Sequence, residues 1–287
     1  TGEMLHTADI DNRLKSRHPY KRWLKENSYH VEGTFGGEQA PGIEPDMLMP
    51  YQKMFQVTFE ERDQVLRPLA ESGNEAVGSM GDDTPMAVLS RHERPLYDFF
   101  RQKFAQVTEK NVFHEGPEHA DRVILSSPVL SQGKFNTLLT MNRPGFEVCD
   151  IDGTYDPAEM DLQQALARLV DTAEQAVRKG ATILIISDRS IARERLPIHS
   201  LMATGAVHHH LIGQGLRCDA NLVIETASAR DSHQVACLLG FGATAIYPYL
   251  AYSVLEDLIR DGELLGEPST CYKNYRKGIN KGLLKIM

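Results

Sequence analysis

Residues 181–186 read Ala-Thr-Ile-Leu-Ile-Ile. The run is apolar with no polar alternation, as in a strand buried on both faces, and such strands belong to parallel sheets covered by helices on each side. The flanking sequence fits that setting. Upstream, Pro157–Lys179 keeps apolar residues at helical spacing, with Glu159 and Asp161 in the first turns, Arg178 and Lys179 at the end, and Gly180 as the stop. Before it, Phe146–Ile151 alternates and reads as a strand. Downstream come a helix at His199–Gly213, a second buried strand at Ala220–Glu225 and a short helix at Ser232–Leu239. A third strand at Ala243–Tyr247 and helices at Leu250–Arg260 and Tyr272–Ile286 complete the pattern. Right-handed βαβ units are the expected connections. No Gly-x-Gly-x-x-Gly follows any strand, so the expected fold is α/β with parallel strands, a barrel or partial barrel of the (β/α)8 kind rather than a dinucleotide-binding sheet.

The N-terminal part is less regular. Residues 1–50 show little periodicity and read as an irregular extension or linker, leaving 51–287 as the α/β domain. Arg13–Trp23 is a basic patch with aromatics. It is an anion or nucleic-acid contact, a docking patch for a partner subunit, or a solvated segment packing Leu14, Tyr20 and Trp23 on a neighbour. Gly33–Gly42 reads as a loop. Thr58 and Glu61 have capping-box spacing ahead of Val65, Leu66 and Leu69, with Pro68 interrupting the helix they begin. Pro95–Val107 repeats apolar residues at helical spacing. Between these two segments lies Gly78-Ser79-Met80-Gly81-Asp82-Asp83-Thr84-Pro85, dense in turn and cap residues.

The chain has 287 residues, 41% hydrophobic and 24% charged, enough for one large or two small domains. A formal charge of −8 argues against a general nucleic-acid binder. No apolar run reaches the roughly 18–20 residues of a membrane span. Cys149, Cys218, Cys237 and Cys271 form no CxxC, so no zinc or iron–sulfur set is expected, and a reduced, cytoplasmic setting fits. The chain begins at Thr1 and ends at Met287 like a piece of a longer polypeptide.

Chemistry in α/β folds gathers at the carboxyl ends of strands. Three such ends are polar here: Ser187-Asp188-Arg189, the run Glu225–Asp231, and Tyr247-Pro248-Tyr249. Read as function, Asp188, Arg189, Glu225 and Arg230 form a polar pocket, with Arg189 and Arg230 as a clamp for a small anionic substrate of an independent barrel enzyme. Read otherwise, these are loop charges that pair locally. His208-His209-His210 is not a metal site by spacing, because adjacent helical residues point about 100° apart. Asp82-Asp83 lacks the further acidic spacing of a cation site and reads as turn and cap. No nucleophilic triad is identifiable.

Several stretches go further than pattern. They are Ser16–Tyr20, Tyr51–Lys53, Asn74–Pro85, Tyr97–Thr108, Leu184–Arg189, Leu216–Ala220, Glu225–Asp231, Leu239–Tyr249 and Asn274–Leu283. In order and from end to end, they resemble the central domain of the glutamate synthase large chain. The resemblance implies a degenerate barrel, and an enzyme that turns glutamine and 2-oxoglutarate into two glutamates. In it an amidotransferase domain releases ammonia and an FMN domain, with an Fe–S cluster, consumes it. An NADPH-oxidising small subunit is a possible partner, with NADPH or ferredoxin as donor. The central domain lies between them and helps form an ammonia tunnel, which places Gly78, Ser79, Met80, Gly81, Asp82, Asp83 and Thr84 at its wall. Residues 272–287 would lead into the FMN domain. This piece holds none of the catalytic, FMN or Fe–S segments and is expected to be inactive alone. One departure stands out: the family carries a further stretch between the segment ending at Thr108 and the one beginning at Asn111, and here only Glu109-Lys110 separates them.

Overall fold

The structure, a computed structural model, describes residues 4–31, 42–75, 89–91, 93–101 and 122–286. The Gly78–Pro85 turn, most of the Gly33–Gly42 loop and the second half of the Pro95–Val107 helix expectation lie outside these residues. The chain divides into two units, Thr1–Val31 with Ala105–Ser126, and Glu32–Phe104 with Ser127–Met287.

In the first unit, α1 (Thr7–Arg17) and α2 (Tyr20–Asn27) precede β1 (Ser28–His30), which pairs in parallel with β2 (Arg122–Ile124). The low periodicity of this region did not signal two helices. Both are short and mostly polar, with only Ile10 and Leu14 in α1 and Tyr20, Trp23 and Leu24 in α2 at helical spacing, and neither buries a residue. Local contacts support them instead. The Asp9 carboxylate accepts the His6 N–H at 3.1 Å, and Lys15 pairs with Asp11 one turn away at 2.8 Å. Within the basic patch His18 stacks on Trp23, and Tyr20 meets Trp23 edge-on.

The second unit opens with α3 (Pro45–Met54). The Thr58 hydroxyl then accepts the Glu61 N–H at 3.1 Å and starts α4 (Phe59–Glu61). A π-helical segment, Arg62–Leu66, leads into α5 (Arg67–Ser72). That segment explains how Pro68 is accommodated. Proline has no N–H for the carbonyl four residues back and its ring crowds that carbonyl, and the wider π turn around Gln64 makes room. Where helical spacing pointed to a helix from Pro95, the described residues form only one 3₁₀ turn, Leu96–Phe99, and Phe100 is extended. Tyr97 is drawn into the core, and Phe100 packs edge-on against Phe241.

The rest alternates helix and strand: α6 (Gln132–Leu139), β3 (Glu147–Asp152), β4 (Thr154–Tyr155), α7 (Leu162–Arg178), β5 (Ala181–Ser187), β6 (Leu196–Pro197) and α8 (Ser200–Gly213). Then come β7 (Asn221–Glu225), α9 (Ser232–Gly240), β8 (Ala245–Tyr247), α10 (Tyr249–Arg260) and α11 (Pro268–Ile286). α7 starts later than Pro157 because Asp161 and Gln164 close a reciprocal capping box at 2.8 and 2.9 Å, while Asp156 holds residues 157–159 in a turn.

The main sheet is parallel, in the order β3-β5-β7-β8. β5 is its buried centre; Leu184 and Ile185 have no exposed surface. Strands follow one another in sequence order with no reversal, as in a barrel and unlike a doubly wound sheet. Val129, which precedes all four strands in the chain, forms a parallel bridge with Ile246 of β8, the last strand. Leu130 N–H reaches Ile246 O at 2.8 Å, and Ile246 N–H reaches Pro128 O at 2.7 Å. First beside last is the neighbour relation of a (β/α)8 barrel, although among the described residues nothing pairs the 128–130 segment with β3 and the ring is left open.

Candidate functional site

Register sets the strand ends level. Asp152 lies beside Ser187, Ser187 beside Glu225, and Glu225 beside Tyr247. One polar rung therefore crosses the carboxyl edge of the sheet, and the side chains just beyond it build the face.

Asp188 is 3% exposed. Its carboxylate accepts the Thr226 hydroxyl at 2.5 Å, the Tyr249 hydroxyl at 2.8 Å and the Ala227 N–H at 3.0 Å. Burial raises its pKa to about 6, against the lowering effect of those bonds. Arg189 Nε donates to Glu225 Oε1 at 2.6 Å, and the Ser187 hydroxyl donates to Glu225 Oε2 at 2.6 Å. The Arg189 guanidinium also lies 4.3 Å from the Tyr249 ring centre. Tyr51, from α3, donates to the Arg189 carbonyl at 2.9 Å.

Arg230 turns elsewhere. Its side chain is 2% exposed, and its Nε and Nη2 donate to Glu61 at 2.5 and 3.0 Å. Nη1 donates to the Ala227 carbonyl at 2.7 Å. Of the four charged residues read from the strand ends, Arg189 and Glu225 are thus an ion pair. Asp188 is tied to Arg189 through Tyr249, and Arg230 pairs with a residue of α4. Glu61 has capping-box spacing, yet its carboxylate leaves the cap and neutralises a cation 169 residues away. No local pattern announces that.

A hydroxyl cluster lies under this face, formed by residues that sequence reasoning missed. Tyr97, Ser200 and Ser228 lie mutually within 2.6–3.1 Å, and Ser228 continues to Thr226 at 3.0 Å, which reaches Asp188. The alternation Thr226-x-Ser228 in an apolar setting was the one legible hint. His199 lies against Tyr97, ring centres 5.0 Å apart. Burial, helped by the Arg230 charge, lowers its pKa to about 4. Its Nδ1 accepts the Leu201 N–H at 3.3 Å as the cap of α8, so it is engaged in structure rather than set as a base toward Ser200.

The remaining candidates are also engaged locally. His208, His209 and His210 diverge to Arg217, to the Gly205 carbonyl and to Glu174. Cys237 lies 3.7 Å from His233 beside a cavity of about 210 Å³ that Phe100 and Phe241 help line. Burial pushes its thiol up to about 12, so it is the protonated, unreactive form at neutral pH. Among the described residues no three His, Cys, Asp or Glu side chains are grouped to hold a metal ion, and no helix is long and apolar enough to cross a membrane.

Fold and site together define a sequentially wound α/β domain whose two strand-end arginines are paired within the fold. The comparisons with known proteins then fix its family. The model of the glutamate synthase central domain matches residues 50–111 and 108–287. Its two stretches overlap at residues 108–111, around Glu109-Lys110. Over the whole chain, the rice (Oryza sativa subsp. japonica) ferredoxin-dependent glutamate synthase, chloroplastic, is 34% identical. The Bacillus subtilis (strain 168) glutamate synthase [NADPH] large chain is 31% identical and the Saccharomyces cerevisiae glutamate synthase [NADH] 32%. The chain spans 20%, 20% and 15% of their lengths. The chain belongs to the glutamate synthase central domain family.

Proposed function

We propose that this chain is a non-catalytic part of a cytoplasmic glutamate synthase, joining a glutaminase domain to an FMN-binding synthase domain and helping to wall the ammonia passage between them. In the whole protein glutamine and 2-oxoglutarate would yield two glutamates, with FMN and an Fe–S cluster outside this chain and NADPH, NADH or ferredoxin as electron source. An NADPH-oxidising small subunit is a fitting partner. Residues 1–50 would serve as the link to the preceding domain, 51–287 as the central domain proper, and 272–287 as the lead into the next. The observation that carries this reading is the family match along the chain, while relatives are five or more times longer.

The strand-end face supports inactivity. Its two arginines are bound to Glu225 and Glu61, so they present no clamp to an anion. Gly78–Thr84, whose sequence reads as a turn with two glycines and a helix cap, is the proposed stretch of passage wall. The isolated chain, titrated with FMN and assayed for glutamine hydrolysis, is expected to show neither tight flavin binding nor activity. Either result, if positive, overturns the reading.

A further inference from the structure

Helix α11 turns one face toward the end of α5 and the residues just after it. Asn274, Gly278, Lys281, Gly282 and Lys285 recur at the three- and four-residue spacing of a single helical face. Asn274 donates to the Glu71 carbonyl at 3.0 Å, Lys281 to the Asn74 side chain, and Lys285 to Glu75 Oε2 at 2.7 Å. Between these polar contacts the two glycines permit close approach. A Cβ on Gly278 would run into Leu69, and one on Gly282 into Ser232, with the Glu75 carboxyl beside it.

Glu75 is the unusual member. Its side chain is 6% exposed while that of Lys285 is 64% exposed. Its second carboxylate oxygen, Oε1, is buried and has no hydrogen-bond partner among the described residues. The ion pair with Lys285 is therefore the chief compensation for the burial of that charge, and loss of the ammonium leaves a buried carboxylate with neither oxygen paired. Such a charge favours any rearrangement that returns it to water.

We propose that Glu75 with Lys285, and Asn74 with Lys281, are positioning residues. They clamp the root of the Gly78–Pro85 stretch, which starts three residues after Glu75, onto α11. The inference rests on the passage reading of that stretch and adds the device that sets its position. Asn74 and Glu75, which open the motif Asn74–Pro85, and the helix that carries Asn274–Leu283, about two hundred residues further on, are in this view the two halves of one joint.

The test uses the intact glutamate synthase containing this chain. Glutamine hydrolysed per glutamate formed is measured alongside glutamate formation from added ammonia, for Lys285→Ala, Glu75→Gln, Lys285→Arg and Gly81→Phe. Lys285→Ala is expected to raise hydrolysis per glutamate several-fold while ammonia-driven synthesis is kept. Glu75→Gln should shift the ratio the same way, and Lys285→Arg should restore it. Loss of ammonia-driven synthesis in step with glutamine-driven synthesis would reduce the contact to general stability and overturn the positioning role. Tight coupling in Lys285→Ala beside uncoupling in Gly81→Phe would refute the clamp and leave the passage standing. Tight coupling in both would refute the passage reading itself.

Discussion

Glu61→Gln probes the buried face most sharply. Arg230 is 2% exposed, and two of its N–H groups end on the two Glu61 oxygens, at 2.5 and 3.0 Å. Glutamine offers one oxygen in place of two and turns its NH2 group toward the guanidinium. The cation then stays buried with its Ala227 carbonyl contact and without this counter-charge. Removing one partner of a buried ion pair costs about 3–5 kcal/mol. For a unit of this size, at about 2–4 °C per kcal/mol, the midpoint of thermal unfolding falls by roughly 6–20 °C. The exposed Lys15–Asp11 pair, with side chains 74% and 54% exposed, is the control. There Asp11→Asn should cost no more than about 0.5 kcal/mol. Urea and thermal unfolding of the purified chain measure both. A loss below about 1 kcal/mol for Glu61→Gln would mean that the pair behaves as a surface contact. Phosphate or a dicarboxylate should leave the wild type unshifted and partly restore Glu61→Ala. Stabilisation of the wild type would show that the arginines are open to a ligand, against the account.

Other outcomes follow from the same face and from α11. Asp188 has a folded pKa of about 6, above the ordinary carboxylate value of about 3.9. Its contribution is full below about pH 4 and lost as pH rises through 6, about 3 kcal/mol in all. Asp188→Asn should remove that decline from the unfolding free energy, and an unchanged decline would refute the assignment. His199 acts in the opposite sense. Its folded pKa of about 4 gives stability that is present above about 6.5 and lost as pH falls through 4, so His199→Asn should resist acid better than the wild type. Tyr97→Phe leaves Ser200 and Ser228 bonded to each other at 2.6 Å, so it should cost only about 1 kcal/mol by denaturant titration. A loss of several kcal/mol would show that the cluster depends on the phenol. Gly282→Ala should cost about 1–3 kcal/mol by overpacking against Ser232, less up to about 1 kcal/mol of helix propensity. Ser232→Gly should recover most of it, and additivity of the two changes would deny the contact.

The buried strands were legible because their chemistry is local: Ala181–Ile186 and Asn221–Glu225 are too apolar to be anything but the inside of a covered sheet. Their helices were legible from caps and periodicity. The misses share one cause, which is that local pattern was overruled by distant contacts or by none. Residues 95–100 have helical spacing, yet Tyr97 is pulled inward by Ser200 and Ser228, more than one hundred residues away. Glu61 has the spacing of a cap and serves Arg230. Helices α1 and α2 are short and mostly polar, and their few apolar residues at helical spacing, Ile10 with Leu14 and Tyr20 with Trp23 and Leu24, were too sparse to stand out. At the site, residue types at strand ends located the polar face, while the pairings that neutralise it depend on register and on α4, which the sequence does not display. The family, by contrast, was legible because its motifs run in order from Ser16 to Leu283.

In the proposed role, this chain guides ammonia and does not transform it. The most direct measurement follows the amide nitrogen. Intact glutamate synthase is given glutamine labelled at the amide, with excess unlabelled ammonium in solution, and the new glutamate is analysed for label. The wild type is expected to keep the label, and Gly81→Phe or Thr84→Trp to lose it to the unlabelled pool. Equal retention in wild type and variants would contradict that role.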